Sequence, residues 1–170
     1  MILGMSLSTF VTVHVIISLI GIVAGIIVMF GLLGSNRMPG LTAIFLLFTI
    51  LTSATGFLIP PLLSDKLLPS HIIGALSLVL LAVACFALYG QKLSGRWRLI
   101  YVLTALISLY LNVFVLVIQS FLKIGPLHAL APGEPPGGPV FAVVQLIVLV
   151  FFVIVIIGAV RRFRPMPSFA

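Results

Sequence analysis

Carboxylates are almost missing from this chain: Asp65 and Glu134 are the only two in 170 residues. They fall in separate loops between apolar runs, so no buried acid–base pair is available. With no GxSxG and no HExxH either, hydrolytic chemistry has no support. Cysteine is just as scarce. Cys85 stands alone, which excludes an internal disulfide, a CxxC redox pair and a thiolate metal cage. It sits mid-helix, where a thiol behaves as a small apolar residue. GEPPGG (133–138) lacks both the lysine and the following helix start that a phosphate-cradling loop needs. A cleavable signal peptide is not expected, because MILGMSLSTF has no positive segment and the apolar run after it is too long.

What remains is oil. Charged residues make up 6% of the chain and hydrophobic ones 62%, with a mean hydropathy of +1.43. A soluble domain of this size could not cover so much apolar surface, so lipid is the solvent for most of the chain. The formal charge of +7 does not point to nucleic acid, because the nine basic residues sit at the ends of the apolar runs. The partners implied are the lipid bilayer and other membrane protein subunits.

A helix needs about 20 apolar residues to cross the hydrocarbon core. Five stretches qualify, at 9–33, 41–60, 70–90, 99–122 and 140–160. The fold class predicted is therefore all-α: a polytopic membrane protein of five transmembrane helices in a single membrane domain. Arg37, Lys92, Arg96, Arg98, Arg161, Arg162 and Arg164 fall on one side of this arrangement, and only Lys66 and Lys123 on the other. Positive charge stays in the cytoplasm, which puts the N-terminus outside and the C-terminus inside. The two outer loops hold eight of the eleven prolines. They should form a stiff lid.

Polar residues inside the spans form stripes. At about 100° per residue, Tyr101, Ser108, Asn112, Gln119 and Lys123 share one face of the fourth span. The first span aligns His14, Ser18, Gly21 and Gly25, and the second Thr42, Thr49, Ser53, Gly56 and Pro60. His71, Ala75, Ala82, Cys85 and Tyr89 align in the third. Unpaired amides are costly in hydrocarbon, so these faces should meet protein, and small residues permit close helix approach. The fifth span is Val/Ile/Leu/Phe-rich apart from Gln145. The expected arrangement is a four-helix core bundle with one peripheral helix.

By depth, His14, Ser18, Ser53, Thr55, His71, Gln119, Lys123 and Gln145 belong to the outer half, and the inner half is nearly apolar. This predicts a polar pocket open to the outer face. A weak repeat pairs spans one and two with spans three and four, since 41 residues separate both His14 from Thr55 and His71 from Asn112. The two histidines should then approach each other at matching depth.

Several readings stay open. The imidazoles could bond to water or a neighbouring helix, or ligate a haem b iron from two sides, with a quinone near Gln119. His128 could complete a zinc or copper site with His14 and His71, though no HxxxH or HxH pair supports it. Asn112, Gln119 and Lys123 could line a ligand pocket or only join helices, and a lysine near an interface often just snorkels. A membrane-embedded binding or accessory subunit fits best, ahead of a redox protein and of a small-solute transporter.

TSATGFLIP (52–60), PSHIIGALSL (69–78) and WRLIYVLTALISLYLNVFVLVIQSF (97–121) resemble segments of small, uncharacterised multi-pass proteins of bacterial inner membranes. The resemblance implies that location and carries no activity.

The charge asymmetry makes a direct prediction. A reporter active only in the periplasm, fused after Arg164, should give no signal, and strong activity there would reverse the orientation.

Overall fold

Once five apolar segments leave water, their peptide groups can bond only within each segment, and helix is the result. The computed structural model describes residues 4–59 and 69–165. Among these residues there is helix and no strand. Helix α1 runs Leu7–Leu33, α2 Pro39–Gly56, α3 Pro69–Cys85, α4 Trp97–Lys123, α5 Gly125–Leu130 and α6 Pro139–Arg162. All but the short α5 are long and apolar enough to cross a membrane, α3 being extended by a π-helical turn over Phe86–Gly90.

Local chemistry sets the ends. Ser6 caps α1, its Oγ accepting from the Thr9 backbone N–H at 3.2 Å. Proline opens α2, α5 and α6 at their first or second positions, where its missing N–H costs nothing. The α1–α2 turn is tight and places Ser35 and Met38 at positive φ. The α3–α4 turn leaves the π segment through a bond from Gln91 N–H to the Phe86 carbonyl. Lys92, Leu93 and Gly95 there also take positive φ.

Two antiparallel hairpins, α1–α2 and α3–α4, pack side by side, and α4 touches every other helix. The hairpin turns share one end of the molecule. Near it the interior is apolar and closed, filled by Met29, Leu32, Phe45, Leu81, Tyr101 and Leu106. Ile16, Val23 and Phe30 on α1, and Ile72, Val79 and Phe86 on α3, repeat every seven residues on exposed faces. These seams suit lipid.

In the small-residue stripes of α1 and α2, Gly21, Gly25, Thr42, Thr49 and Ser53 are buried as expected, while His14, Ser18 and Gly56 are half-buried. A Cβ at Gly25 would lie 2.6 Å from Leu109 Cδ1 and 2.8 Å from Phe45 Cδ2. One at Gly21 would meet the α2 backbone at Phe48 and Thr49, at 3.3 Å. Tyr101 and Ser108 are buried too. The third stripe is a correction. Ala75 and Ala82 are exposed and Tyr89 is 57% exposed, while Ser77, Leu81 and Ala84 face inward. Alanine is as acceptable to lipid as to a helix neighbour, so it does not mark the packed side.

Two other expectations change. The loop after α4 contains α5, which carries His128, because Gly125-Pro126 opens a helix there. GEPPGG does run directly into a helix start, since α6 begins at Pro139 after Gly138 at φ 90°. Asp65, Lys66 and Pro60 lie outside the described residues.

Helix α6 packs on α4 and α1. Gln145 Nε2 donates to the Phe114 carbonyl at 3.1 Å, and Tyr110 meets Phe152 with ring centroids 5.6 Å apart. At the turn end the Arg98 guanidinium donates to the Val160 and Phe163 carbonyls, and the Arg164 N–H donates to Ser35 Oγ. A cation on the last carbonyls of a helix complements its dipole.

Gly25→Ala should lower stability by about 1–3 kcal/mol, the ordinary cost of overpacking, because Leu109 and Phe45 are fully buried and have nowhere to move. Gly40→Ala, with open space at its Cβ, should be neutral or slightly stabilising. Denaturant unfolding in mixed micelles compares the two.

Candidate functional site

At the end opposite the turns, α1 begins, α2 ends, α3 begins and α4 ends, and all four line one cavity of about 580 Å³. Val15, Leu19, Ile73, Leu111, Val115 and Leu116 supply much of its apolar wall. The polar groups sit on this wall in layers.

Depth can be counted from the helix ends at the turns. Ser18 lies about 15 residues above Leu33, Ser53 about 14 above Pro39, Ser77 about 13 below Gly90 in sequence, and Asn112 about 15 beyond Trp97. At 1.5 Å per residue these four fall within roughly 3 Å of one level. They form a polar floor. His14 and His71 come next, each about 19 residues from its turn, so some 6–9 Å above the floor. Gln119 is higher, and Lys123 is at the mouth, about 16 Å beyond Asn112 along α4.

The imidazole of His14 is held. Its Nδ1 lies 2.7 Å from Thr55 Oγ1, and that hydroxyl lies 2.7 Å from the Leu51 carbonyl. A hydroxyl has one proton, and a carbonyl can only accept. Thr55 therefore donates to Leu51 and accepts from His14, which makes His14 the Nδ1–H tautomer when neutral. Its Nε2 keeps the lone pair. His71 instead stacks on Phe57, ring centroids 5.7 Å apart and 13° from parallel.

Helical hydroxyls here mostly return to their own backbone. Ser18 donates to the Val15 carbonyl, Thr52 to Phe48 and Ser120 to Leu116. Ser77 does not: it is 3% exposed and its Oγ has no partner. Asn112 Nδ2 is also buried without a partner. Two buried polar groups without partners thus belong to wall residues of one cavity, on adjacent antiparallel helices and at nearly the same depth, neither atom being itself open to it.

Of the residues singled out by sequence, His14, Ser18, Ser53, His71, Asn112, Gln119 and Lys123 line the cavity. Thr55 stands behind His14 rather than on the wall, and Gln145 serves the α6–α4 contact. His128 is also elsewhere, its Nδ1 donating to the Phe121 carbonyl at 3.3 Å. Among the described residues no three His, Cys, Asp or Glu side chains gather as a metal site would need, so His128 does not join His14 and His71. The spacing of 41 yields a hydrogen bond for His14–Thr55 only; none joins His71 to Asn112. Sequence reasoning missed Ser77, Thr52 and Ser120. Ser77 is detectable only if the inward face of α3 is drawn through Leu81 and Ala84 rather than through the alanines.

Thr55→Val should release the His14 tautomer. In imidazole ¹⁵N NMR the native protein should show the Nδ1–H form and the variant a mixture, at a stability cost of about 0.6 kcal/mol. A dominant Nε2–H form in the native protein would overturn the assignment.

Compared with known proteins, the chain matches no family model, no curated protein and no solved structure.

Proposed function

We propose that this protein is an integral membrane binding or accessory subunit rather than an independent enzyme, with its polar cavity open to the outer face of a bacterial cytoplasmic membrane. One observation carries the reading: ten polar residues from four separate helices line one cavity whose remaining wall is largely apolar. Polar groups inside a membrane are costly, and they gather mainly where a ligand or a path needs them. The volume lies within the range of about 300–1,000 Å³ common to small-molecule sites.

The orientation rests on the basic residues, seven of which cluster beyond the turn end and C-terminus. The cavity then faces outward, as a site that receives its ligand from the periplasmic side or the outer leaflet. The four cavity-lining helices act as the working core, and α6 is a peripheral brace; only 17% of its span is buried, against 44% for α1. Its bare face is available to lipid or to a neighbouring membrane subunit.

A second reading has a specific observation in its favour. His14, whose neutral form keeps its lone pair on Nε2, and His71 line the same cavity, which is the raw material of a bis-histidine haem b site. The visible spectrum separates the two. A Soret band in protein purified from a haem-replete host would establish the redox reading and displace the first.

The binding reading is tested by native mass spectrometry of protein extracted with its membrane lipids. A retained small molecule is expected in the native protein and in Val143→Phe, which changes an exposed position on α6. It should be lost in Ser77→Phe, which fills the cavity. Identical retention in Ser77→Phe would overturn the reading.

A further inference from the structure

The cavity is not closed on all sides. Five residues of its described wall are exposed, Val15, Leu19, Gln119, Lys123 and Ile124, and all five lie on α1 or at the end of α4. None is on α2 or α3. The other seams are shut. His14 bonds to Thr55 between α1 and α2, and below it a Cβ at Gly21 would already touch the α2 backbone. Phe57 stacks on His71 between α2 and α3, where a Cβ at Gly74 would lie 3.3 Å from the Phe57 ring. Between α3 and α4, Ser77 Oγ and Asn112 Nδ2 are shut away from solvent. Helices α1 and α4 meet closely at Gly25 and Leu109, and above that contact their seam is the open side.

The opening is graded by depth. Leu19 and Val15 stand about 21 and 27 Å above the turn end of α1, and are 43% and 37% exposed. Gln119 and Lys123 stand about 33 and 39 Å beyond the start of α4. A hydrocarbon core about 30 Å thick, starting near the turns, holds the apolar pair and leaves the polar pair at the interface. That is the order of a lipid in the outer leaflet, tail below and head above. An acyl chain can slide sideways through such a seam without turning over. It gains little by leaving the bilayer for an apolar wall, since both are hydrocarbon, so selectivity falls to the head. Lys123 decides it. Unlike a hydroxyl or an amide, an ammonium has three donors, no acceptor and a positive charge. No carboxylate is among the described lining residues.

We infer that the seam between α1 and α4 is a lateral entrance, through which the cavity takes an acyl chain from the outer leaflet while Lys123 holds its anionic head at the interface. The inference rests on the binding reading above and gives it a ligand class and a route. Two sources carry this chemistry, a fatty-acid carboxylate and a phospholipid phosphate.

The test uses full-length protein in phosphocholine nanodiscs and palmitate carrying a mid-chain diazirine. Light should label α1 and α4 around Val15, Leu19 and Val115, and excess unlabelled palmitate or dipalmitoyl phosphatidylglycerol should displace that label. Whichever competes tenfold better names the source, and equal competition means that the site takes either head. Lys123→Gln should weaken binding about tenfold, and Lys123→Arg should not. Val15→Trp combined with Leu19→Trp narrows the seam and should cut the displaceable label about tenfold. Val79→Trp, on an exposed face of α3 away from the cavity, should leave it intact. Hexadecanol competing as well as palmitate, or full binding in Lys123→Gln, would overturn the anionic head. Unchanged labelling in the double tryptophan variant would sink the lateral entrance. If no probe competes while a native small molecule is still lost in Ser77→Phe, the inference fails and the binding reading stands; absence of both removes both.

Discussion

In hydrocarbon a polar group has no water to fall back on, and the whole structure follows from how each such group is satisfied. Backbone amides are settled by helix formation within each span. Most hydroxyls follow the same route, returning to a carbonyl one turn back, as Thr52, Thr104, Ser108 and Ser120 do. What cannot be settled locally has to be settled between helices. His14 with Thr55 and Gln145 with Phe114 are such bonds, and they join α1 to α2 and α6 to α4. A few groups among the described residues are settled nowhere, Ser77 and Asn112 among them.

The same four helices are packed at one end and parted at the other, and residue size explains the taper. Gly21 and Gly25 let α1 lie against α2 and α4 with no room for even a methyl group at Gly25. Above them the sequence changes to Ser18, His14 and Val11, whose bulk or polarity keeps the helices from closing in the same way. A cavity of this kind needs no special loop or insertion. It arises where small residues stop.

Five spans were readable because each is a long apolar run with clear punctuation, and length and hydropathy act independently of packing. Much of the cavity was readable for a related reason: polar residues are so rare in these spans that period alone groups them, as for Asn112, Gln119 and Lys123. The rest was hidden where that contrast fades. Alanine does not distinguish lipid from a helix neighbour, so the inward face of α3 was placed wrongly and Ser77 was missed. Nor does a periodic pattern say whether a hydroxyl is already satisfied by its own backbone, and that is what separates Ser77 from Ser120. The short helix α5 was hidden because a proline-rich loop and a proline-started helix look alike in sequence.

The grip of Arg98 on the end of α6 has a consequence for biosynthesis. The carbonyls it holds, Val160 at the end of α6 and Phe163 just after it, follow Arg98 by 62 and 65 residues, whereas Arg98 stands at the start of α4. Ser35, which receives the Arg164 N–H, lies earlier still, in the first turn. Arg98 and Ser35 therefore wait in a partly inserted chain until α6 is threaded. A nascent protein that stalls before α6 carries an uncommitted guanidinium beside its second hairpin, and insertion of α6 is what turns that charge from a liability into the closing contact.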